Sequence, residues 1–133
     1  HAPISAQWGY ENRTTAIRIP GGDLISKRIE HRVAGGDTNP YLVMTAVLGS
    51  ALLGIEKKLT PIKPVMNNAY SNSAEKLANN WEDAVNYFGN DKGIKQIFSK
   101  QLIDNLIRTK RQELSEFKKI ESSKHWKYYV ATI

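Results

Sequence analysis

The chain is 133 residues long, 41% hydrophobic and 24% charged, so it reads as globular, either one compact unit or a piece of a larger domain. It has no cysteine and a formal charge of +6. The first excludes disulfides and thiolate metal sites and leaves the redox compartment open; the second admits an anionic partner (nucleic acid, membrane surface or nucleotide phosphate) beside the plainer reading of a solubilising surface.

Residues 1–36 are rich in Thr, Ile, Arg and Gly and lack helical periodicity. They predict two strands, over 14–19 and 27–34, parted by the turn cluster Pro20-Gly21-Gly22-Asp23 and closed by Gly35-Gly36. From residue 37 onward the pattern is helical. Asn39 suits an N-cap and Pro40 a first helical position, so a helix is predicted from there to about residue 59. It is apolar nearly all round, which predicts burial, and Lys57 and Lys58 fall in its last turn. Thr60-Pro61 and Lys63-Pro64 stop it. Its apolar stretch, residues 41–55, is interrupted by Thr45, Gly49, Ser50 and Gly54 and falls short of the about 20 residues of a membrane span. An Asn/Ser-rich loop, 67–80, leads to a short helix over 81–88 capped by Asn80, with Asp83 at its third position. A long helix follows over about 100–122, with Leu102, Leu106, Leu114 and Phe117 as its apolar stripe. Residues 126–130 suit a last short helix.

The most informative segment is Arg28-Ile29-Glu30-His31-Arg32. Side chains alternate across a strand, so Arg28, Glu30 and Arg32 are expected on one face. A carboxylate between guanidiniums stays ionised and can meet a hard divalent cation, while the arginines can grip phosphate or carboxylate oxygens. Taken alone, the row is first read as a solvated edge strand stitched by cross-strand ion pairs. Arg18 lies on the preceding strand, and Arg13, of opposite parity, is expected in a bend. His31 points away from the arginine row and suits a packing or hydrogen-bonded role. His1 and His125 are not spaced as metal ligands. Trp8, Trp81 and Trp126 are expected as core or interface anchors, and Tyr128-Tyr129 as packing against a neighbouring helix.

Three ordered motifs then carry a resemblance. Asn12-Arg13-Thr14-Thr15-Ala16-Ile17-Arg18-Ile19-Pro20 resembles the N-R-S/T-x-x-x-R-I/V-P segment of the glutamine synthetase family. Arg28 to Arg32 resembles its R-I/V-E-x-R segment, and Asn39-Pro40-Tyr41-Leu42 its N-P-Y-L helix start. Lys110-Arg111-Gln112-Glu113 and Trp126 are similar to its C-terminal helix and tail, so the likeness spans nearly the whole chain. The link from Arg32 to Pro40 is worded as in the γ-glutamyl-amine ligase branch, such as glutamate–putrescine ligases.

The resemblance implies an α+β fold: a two-stranded, hairpin-like part of the catalytic sheet followed by a helical C-terminal region. It implies the C-terminal part of a catalytic domain, with the family's N-terminal β-grasp domain absent. It also implies an ATP-dependent ligase that joins the γ-carboxylate of glutamate to ammonia or a small amine through γ-glutamyl phosphate. Residue by residue, Glu30 matches a ligand of the catalytic Mg2+ or Mn2+ ions, and Arg32 the residue holding glutamate. Arg13 matches an arginine touching glutamate and phosphate, Arg18 one touching ATP phosphates, and Arg28 a position near the nucleotide. Arg13 and Arg32 are therefore the expected catalytic pair.

The family further implies a cytoplasmic homo-oligomer, with no nucleic acid or membrane as partner. The chain opens on His1 rather than methionine, without a secretion-signal pattern. It is therefore expected to be part of a longer parent chain and, with one metal carboxylate, to lack turnover alone. Two alternatives stand beside this: a stand-alone non-catalytic nucleotide-binding or regulatory module of the same fold, and a basic nucleic-acid-binding domain, which the lack of aromatic residues among the arginines disfavours.

Overall fold

The computed structural model describes residues 2–130, apart from the side chains of Tyr128 and Tyr129, so the expectation placed on those two rings lies outside the described part, as does His1. The elements run β1 (Trp8–Tyr10), β2 (Ile17–Ile19), β3 (Glu30–His31), α1 (Pro40–Glu56), α2 (Trp81–Asn90), α3 (Ile94–Ile97), α4 (Lys100–Phe117) and α5 (Lys127–Val130). A small sheet followed by helices makes the fold α+β. The chain forms two compact units: residues up to 47 together with 54–77, and residues 48–53 together with those from 78 onward.

The sheet-bearing unit has strand order β1-β2-β3. β2 and β3 are antiparallel, with Arg18 opposite Glu30, which is the hairpin-like pair the sequence implies. Both strands are shorter than the predicted 14–19 and 27–34, because residues 13–16 form turns and bends and 20–29 are a turn over 24–26 flanked by mostly irregular chain. A third strand, unforeseen, adds β1 parallel to β2 in the register Trp8↔Ile17. Parallel neighbours usually need a crossover of about a dozen residues; here only residues 11–16 intervene. The chain turns that tightly because Glu11 adopts φ 51° and because Thr15 Oγ1 donates within the loop, at 2.9 Å to Asn12 O and 2.8 Å to Ile17 O.

The segment 62–77 packs along the outer side of β1. Val65 N–H donates to Trp8 O at 2.9 Å, Trp8 Nε1 to Ile62 O at 2.7 Å, and Leu77 N–H to Ile4 O at 3.0 Å. The buried core is small: Ala16, Val65 and Ala69, with Ser5, Gln7 and Thr15 as buried polar residues. Buried hydroxyls and amides are costly unless bonded; Ser5 Oγ donates to Gln7 Oε1 at 2.9 Å, and Thr15 has the two bonds above. Gly9 is required by this packing, since a Cβ there would lie 2.5 Å from Val65 O.

In the helical unit α2 packs on α4. Trp81 meets Phe117 edge to face at 5.7 Å and Phe88 meets Phe98 at 6.2 Å. Val85, Phe98 and Ile103 are buried, and the predicted stripe residues Leu102, Leu106, Leu114 and Phe117 are half-buried beside Ile103. Asn80 caps α2 as read from the sequence, its Oδ1 accepting from Asp83 N–H at 2.8 Å. Ser99 caps α4, accepting from Leu102 N–H at 3.3 Å. α4 ends at Phe117 rather than near 122, where a 3-10 turn over Ser122–Lys124 takes over. Trp8 and Trp81 are anchors as expected, whereas Trp126 is 64% exposed.

α1 overturns one expectation. It starts as predicted, with Asn39 Oδ1 accepting from Tyr41 N–H at 3.0 Å and Leu42 N–H at 3.2 Å. It ends at Glu56, placing Lys57 and Lys58 beyond it in a turn where Lys58 has φ 50°. No residue of α1 is buried among the described residues. Tyr41, Met44, Leu48, Leu52 and Ile55 are all more than half exposed. Apolar patterning records a demand for cover, and among the described residues that cover is not supplied to these side chains.

Gly9→Ala is expected to lower unfolding stability by about 1–3 kcal/mol, because the methyl must push a backbone carbonyl; urea unfolding followed by tryptophan fluorescence reads this, and an unchanged midpoint would refute the close approach. Leu52→Lys is expected to leave the midpoint within about 0.5 kcal/mol while cutting the binding of a hydrophobic dye. A large loss of stability would mean that Leu52 is covered.

Candidate functional site

The β2–β3 register builds the site. Arg18 and Glu30 face each other across the ladder, and Arg18 Nη1 donates to Glu30 Oε2 at 2.9 Å. Alternation brings Arg32 to the same face as Glu30, where its Nη1 donates to Glu30 Oε1 at 2.7 Å. Each oxygen of one carboxylate therefore accepts from a different guanidinium. The arginine side chains are 12% and 17% exposed and that of Glu30 is 32% exposed.

Arg13 lies in the 11–16 turn, as its parity suggested, and is exposed. Arg28 does not join the row. β3 is only Glu30–His31, so strand alternation does not extend back to residue 28, and Arg28 Nη1 instead donates to Ser26 O at 3.0 Å. That segment is shaped by a local turn in which Asp23 Oδ1 accepts from Ser26 N–H at 2.9 Å and Ser26 Oγ at 2.7 Å. His31, paired in register with Ile17, is exposed.

The structure adds two residues that the sequence reading passed over as functional. Asn12 Oδ1 accepts from Thr14 N–H and Oγ1 at 2.9 and 2.6 Å, and its Nδ2 donates to Val65 O and Asn67 O at 3.0 and 2.7 Å. Glu11 reaches over the end of β2. Its Oε2 accepts from Arg18 Nη2 at 2.7 Å and its Oε1 from the Gly21 N–H. The only signal for Glu11 in the sequence is its place just before the Asn12-Arg13 pair, since its partners lie seven and ten residues on.

Charge and hydrogen bonding fix the ionisation of the cluster. Glu30 is held below the usual carboxylate range, first by the bond from Arg32 and then by that from Arg18, against desolvation. Glu11 is lowered first by the Gly21 N–H, then by Arg18, with Arg13 adding a through-space contribution. Arg18 is raised, chiefly by Glu11 and then by Glu30.

Among the described residues, no group of three or more His, Asp or Glu could hold a metal. A hard divalent cation takes six or more oxygen ligands, protein groups and waters together. The guanidiniums fit phosphate and carboxylate oxygens, which they bind in a planar fork. A separate groove of about 310 Å³ lies between α2 and α4, lined by Glu82, Asn86, Arg111 and Lys118 among others. A Lys118–Glu82 ion pair at 3.0 Å crosses it.

Two arginines converge on one carboxylate beside a short antiparallel pair, in an α+β unit. The glutamine synthetase catalytic-domain profile matches residues 1–129, and the chain belongs to that family. It is similar to the glutamate–isopropylamine ligase of a Pseudomonas species, 36% identical over 84% of this chain and 25% of that protein. It is also similar to the gamma-glutamylputrescine synthetase PuuA of Escherichia coli, 32% identical over 90% of this chain and 25% of that protein, and to a glutamine synthetase of Sulfolobus acidocaldarius, 35% identical over 84% and 26%. The fold matches a solved structure of GmaS without ligand, with a TM-score of 0.77 and 27% identity, over 99% of this chain and 31% of that one. The chain spans about a quarter of the length of these curated relatives.

Because the folded pKa of Glu30 lies below its unfolded value, its contribution to stability is complete above about pH 4.3 and is lost as pH falls through the lowered folded value. Carboxyl carbon NMR is expected to give Glu30 a midpoint below that of a free glutamate, and Arg32→Ala to raise it. A midpoint at the free value, indifferent to Arg32, would disprove the clasp.

Proposed function

We propose that this chain carries one wall of the active site of an ATP-dependent ligase, which joins the γ-carboxylate of glutamate to ammonia or a small amine. The observation that carries the proposal is the Arg18–Glu30–Arg32 cluster, built across β2 and β3 in a chain of the glutamine synthetase family.

The chemistry needs a carboxylate oxygen of glutamate to attack the terminal phosphorus of ATP, with ADP leaving. The nitrogen nucleophile then attacks the acyl phosphate carbon, inorganic phosphate leaves, and the nitrogen gives up a proton. Both steps gather negative charge on oxygens, so fixed cations accelerate them. In this reading Arg18 grips phosphate oxygens of ATP and Arg13, exposed in its turn, reaches both phosphate and glutamate. Arg32 orients the glutamate, and Arg28 lies near the nucleotide. Mg2+ or Mn2+, when bound, would neutralise phosphate charge, with Glu30 giving one of several oxygen ligands.

The wording of residues 32–40 and the amine ligases among the relatives favour a small amine over ammonia. The chain works as part of a longer, cytoplasmic, oligomeric protein. The uncovered apolar flank of α1 and the single metal carboxylate support that, and the chain alone does not turn over. The charge of the segment is phosphate chemistry rather than nucleic-acid binding, for which a steep salt dependence of DNA or RNA affinity would be needed.

With ATP, glutamate and each of ammonia, putrescine and isopropylamine, the isolated chain is expected to show no steady-state phosphate release. Sequencing upstream of the His1 codon is expected to find an open frame encoding further acidic ligands. In that continuous protein, Arg18→Ala should reduce turnover by roughly a hundredfold or more. A stop followed by a nearby start codon would instead favour the non-catalytic module of the same fold.

A further inference from the structure

We propose that Glu11 sets the affinity of this site for phosphate: its carboxylate fills the anion position made by Arg18 and the Gly21 N–H, and a ligand phosphate binds by taking that position. The proposal rests on the reading of Arg18 as a phosphate-gripping residue.

The guanidinium of Arg18 already serves two carboxylates while Glu11 is in place, so an arriving anion meets a neutralised charge. Nη1 donates to Glu30 and Nη2 to Glu11, and Nε is covered and has no hydrogen-bond partner among the described residues. The side chain as a whole is 12% exposed. Of the two carboxylates on it, Glu11 is the more exposed: 58% against 32% for Glu30. Both carboxylates are held through both oxygens, Glu30 by a second guanidinium from Arg32 and Glu11 by the neutral Gly21 N–H, and Glu11 belongs to a loop.

The place Glu11 occupies suits an oxyanion. A backbone N–H from Gly21 and a guanidinium from Arg18 converge there, with the charge of Arg13 nearby. Amide and guanidinium donors aimed at one point bind phosphate oxygens in the same way. Glu11, Arg18, Glu30 and Arg32 together are neutral, an unpromising balance for a polyphosphate. Displacing Glu11 restores a net positive charge without moving Arg18, which Glu30 continues to orient across the ladder. The backbone at Glu11 has φ 51°, a region that side-chain-bearing residues rarely adopt. The chain therefore accepts local strain where this carboxylate is aimed. A brace for Arg18 would duplicate Glu30; a resident competitor for phosphate would not.

The test uses the 133-residue chain labelled with 15N and titrated with inorganic tripolyphosphate at constant ionic strength, following the Gly21 amide and the Arg18 Nε–H. Glu11→Gln is nearly isosteric and is expected to bind about two- to fivefold more tightly, the worth of one exposed ion pair. Arg18→Ala is expected to lose the response, and Glu11→Gln in that background to gain nothing. In the unaltered chain, saturating tripolyphosphate is expected to return the Glu11 carboxyl midpoint toward that of free glutamate. Equal or weaker binding by Glu11→Gln, a Glu11 midpoint unmoved at saturation, or no response at Arg18 and Gly21 in any variant overturns the proposal. Full affinity in Arg18→Ala removes the phosphate reading of Arg18 itself. Loss in Arg18→Ala without a gain in Glu11→Gln removes only the role given to Glu11.

Discussion

The side chain of Asn12 makes four hydrogen bonds, and the geometry of the sheet-bearing unit hangs on them. Its oxygen closes the 11–16 turn onto Thr14, and its nitrogen pins that turn to the carbonyls of Val65 and Asn67. No other side chain type does this as well at this size, because a carboxylate cannot donate to the two carbonyls and a hydroxyl has too few protons. Thr14 then passes the tie on, its Oγ1 accepting from Ala69 N–H at 2.9 Å. The turn so fixed allows β1 and β2 to run parallel with only residues 11–16 between them, and that pairing makes β2 the central strand. Arg18, in the middle of β2, is thereby held from both sides.

A central strand matters for electrostatics. Arg18 is covered enough that its charge needs partners, yet the cluster keeps contact with water through Glu30 and Glu11. Fully buried ion pairs often fail to recover their desolvation cost, and fully exposed ones contribute little. This arrangement lies between those limits, where the geometry of the donors counts for more than the attraction itself. Its role is to fix where cationic groups point. The positive balance of the whole chain is a poor guide to that, since lysines such as Lys100, Lys118 and Lys119 are paired with acids on helix surfaces far along the sequence.

Much of this was legible in the sequence because it depended on short-range rules. Asn39-Pro40 and Asn80 mark helix starts through bonds spanning two or three residues, and both starts are where they were read. Alternation over one step correctly paired Glu30 with Arg32. Over the step back to Arg28 it failed, because the strand is two residues long and the Asp23–Ser26 turn sets the course of the chain before it. β1 was missed because Trp8-Gly9-Tyr10 shows no strand pattern by itself; its pairing is parallel and its glycine answers to Val65, far away in sequence. α3, four residues long, offers no periodicity to detect. Glu11 was passed over for a related reason: its meaning lies in a turn whose shape is set by Asn12 and by contacts with residues 65 and 67.

Under the ligase reading Glu30 would serve two roles, holding the arginines and meeting a cation. A carboxylate has about four lone-pair sites, and the two guanidiniums use one on each oxygen. Sites remain on both oxygens, and the side chain is exposed enough to present them. What opposes a cation there is the repulsion of Arg18 and Arg32, held within hydrogen-bonding distance of the same carboxylate. A phosphate oxygen arriving at Arg18 and a glutamate carboxylate arriving at Arg32 would cancel that repulsion, since each anionic oxygen offsets a guanidinium charge at short range. Under the ligase reading, the same arginines that make Glu30 a weak cation ligand in isolation would make it a competent one once the anionic substrates lie against them.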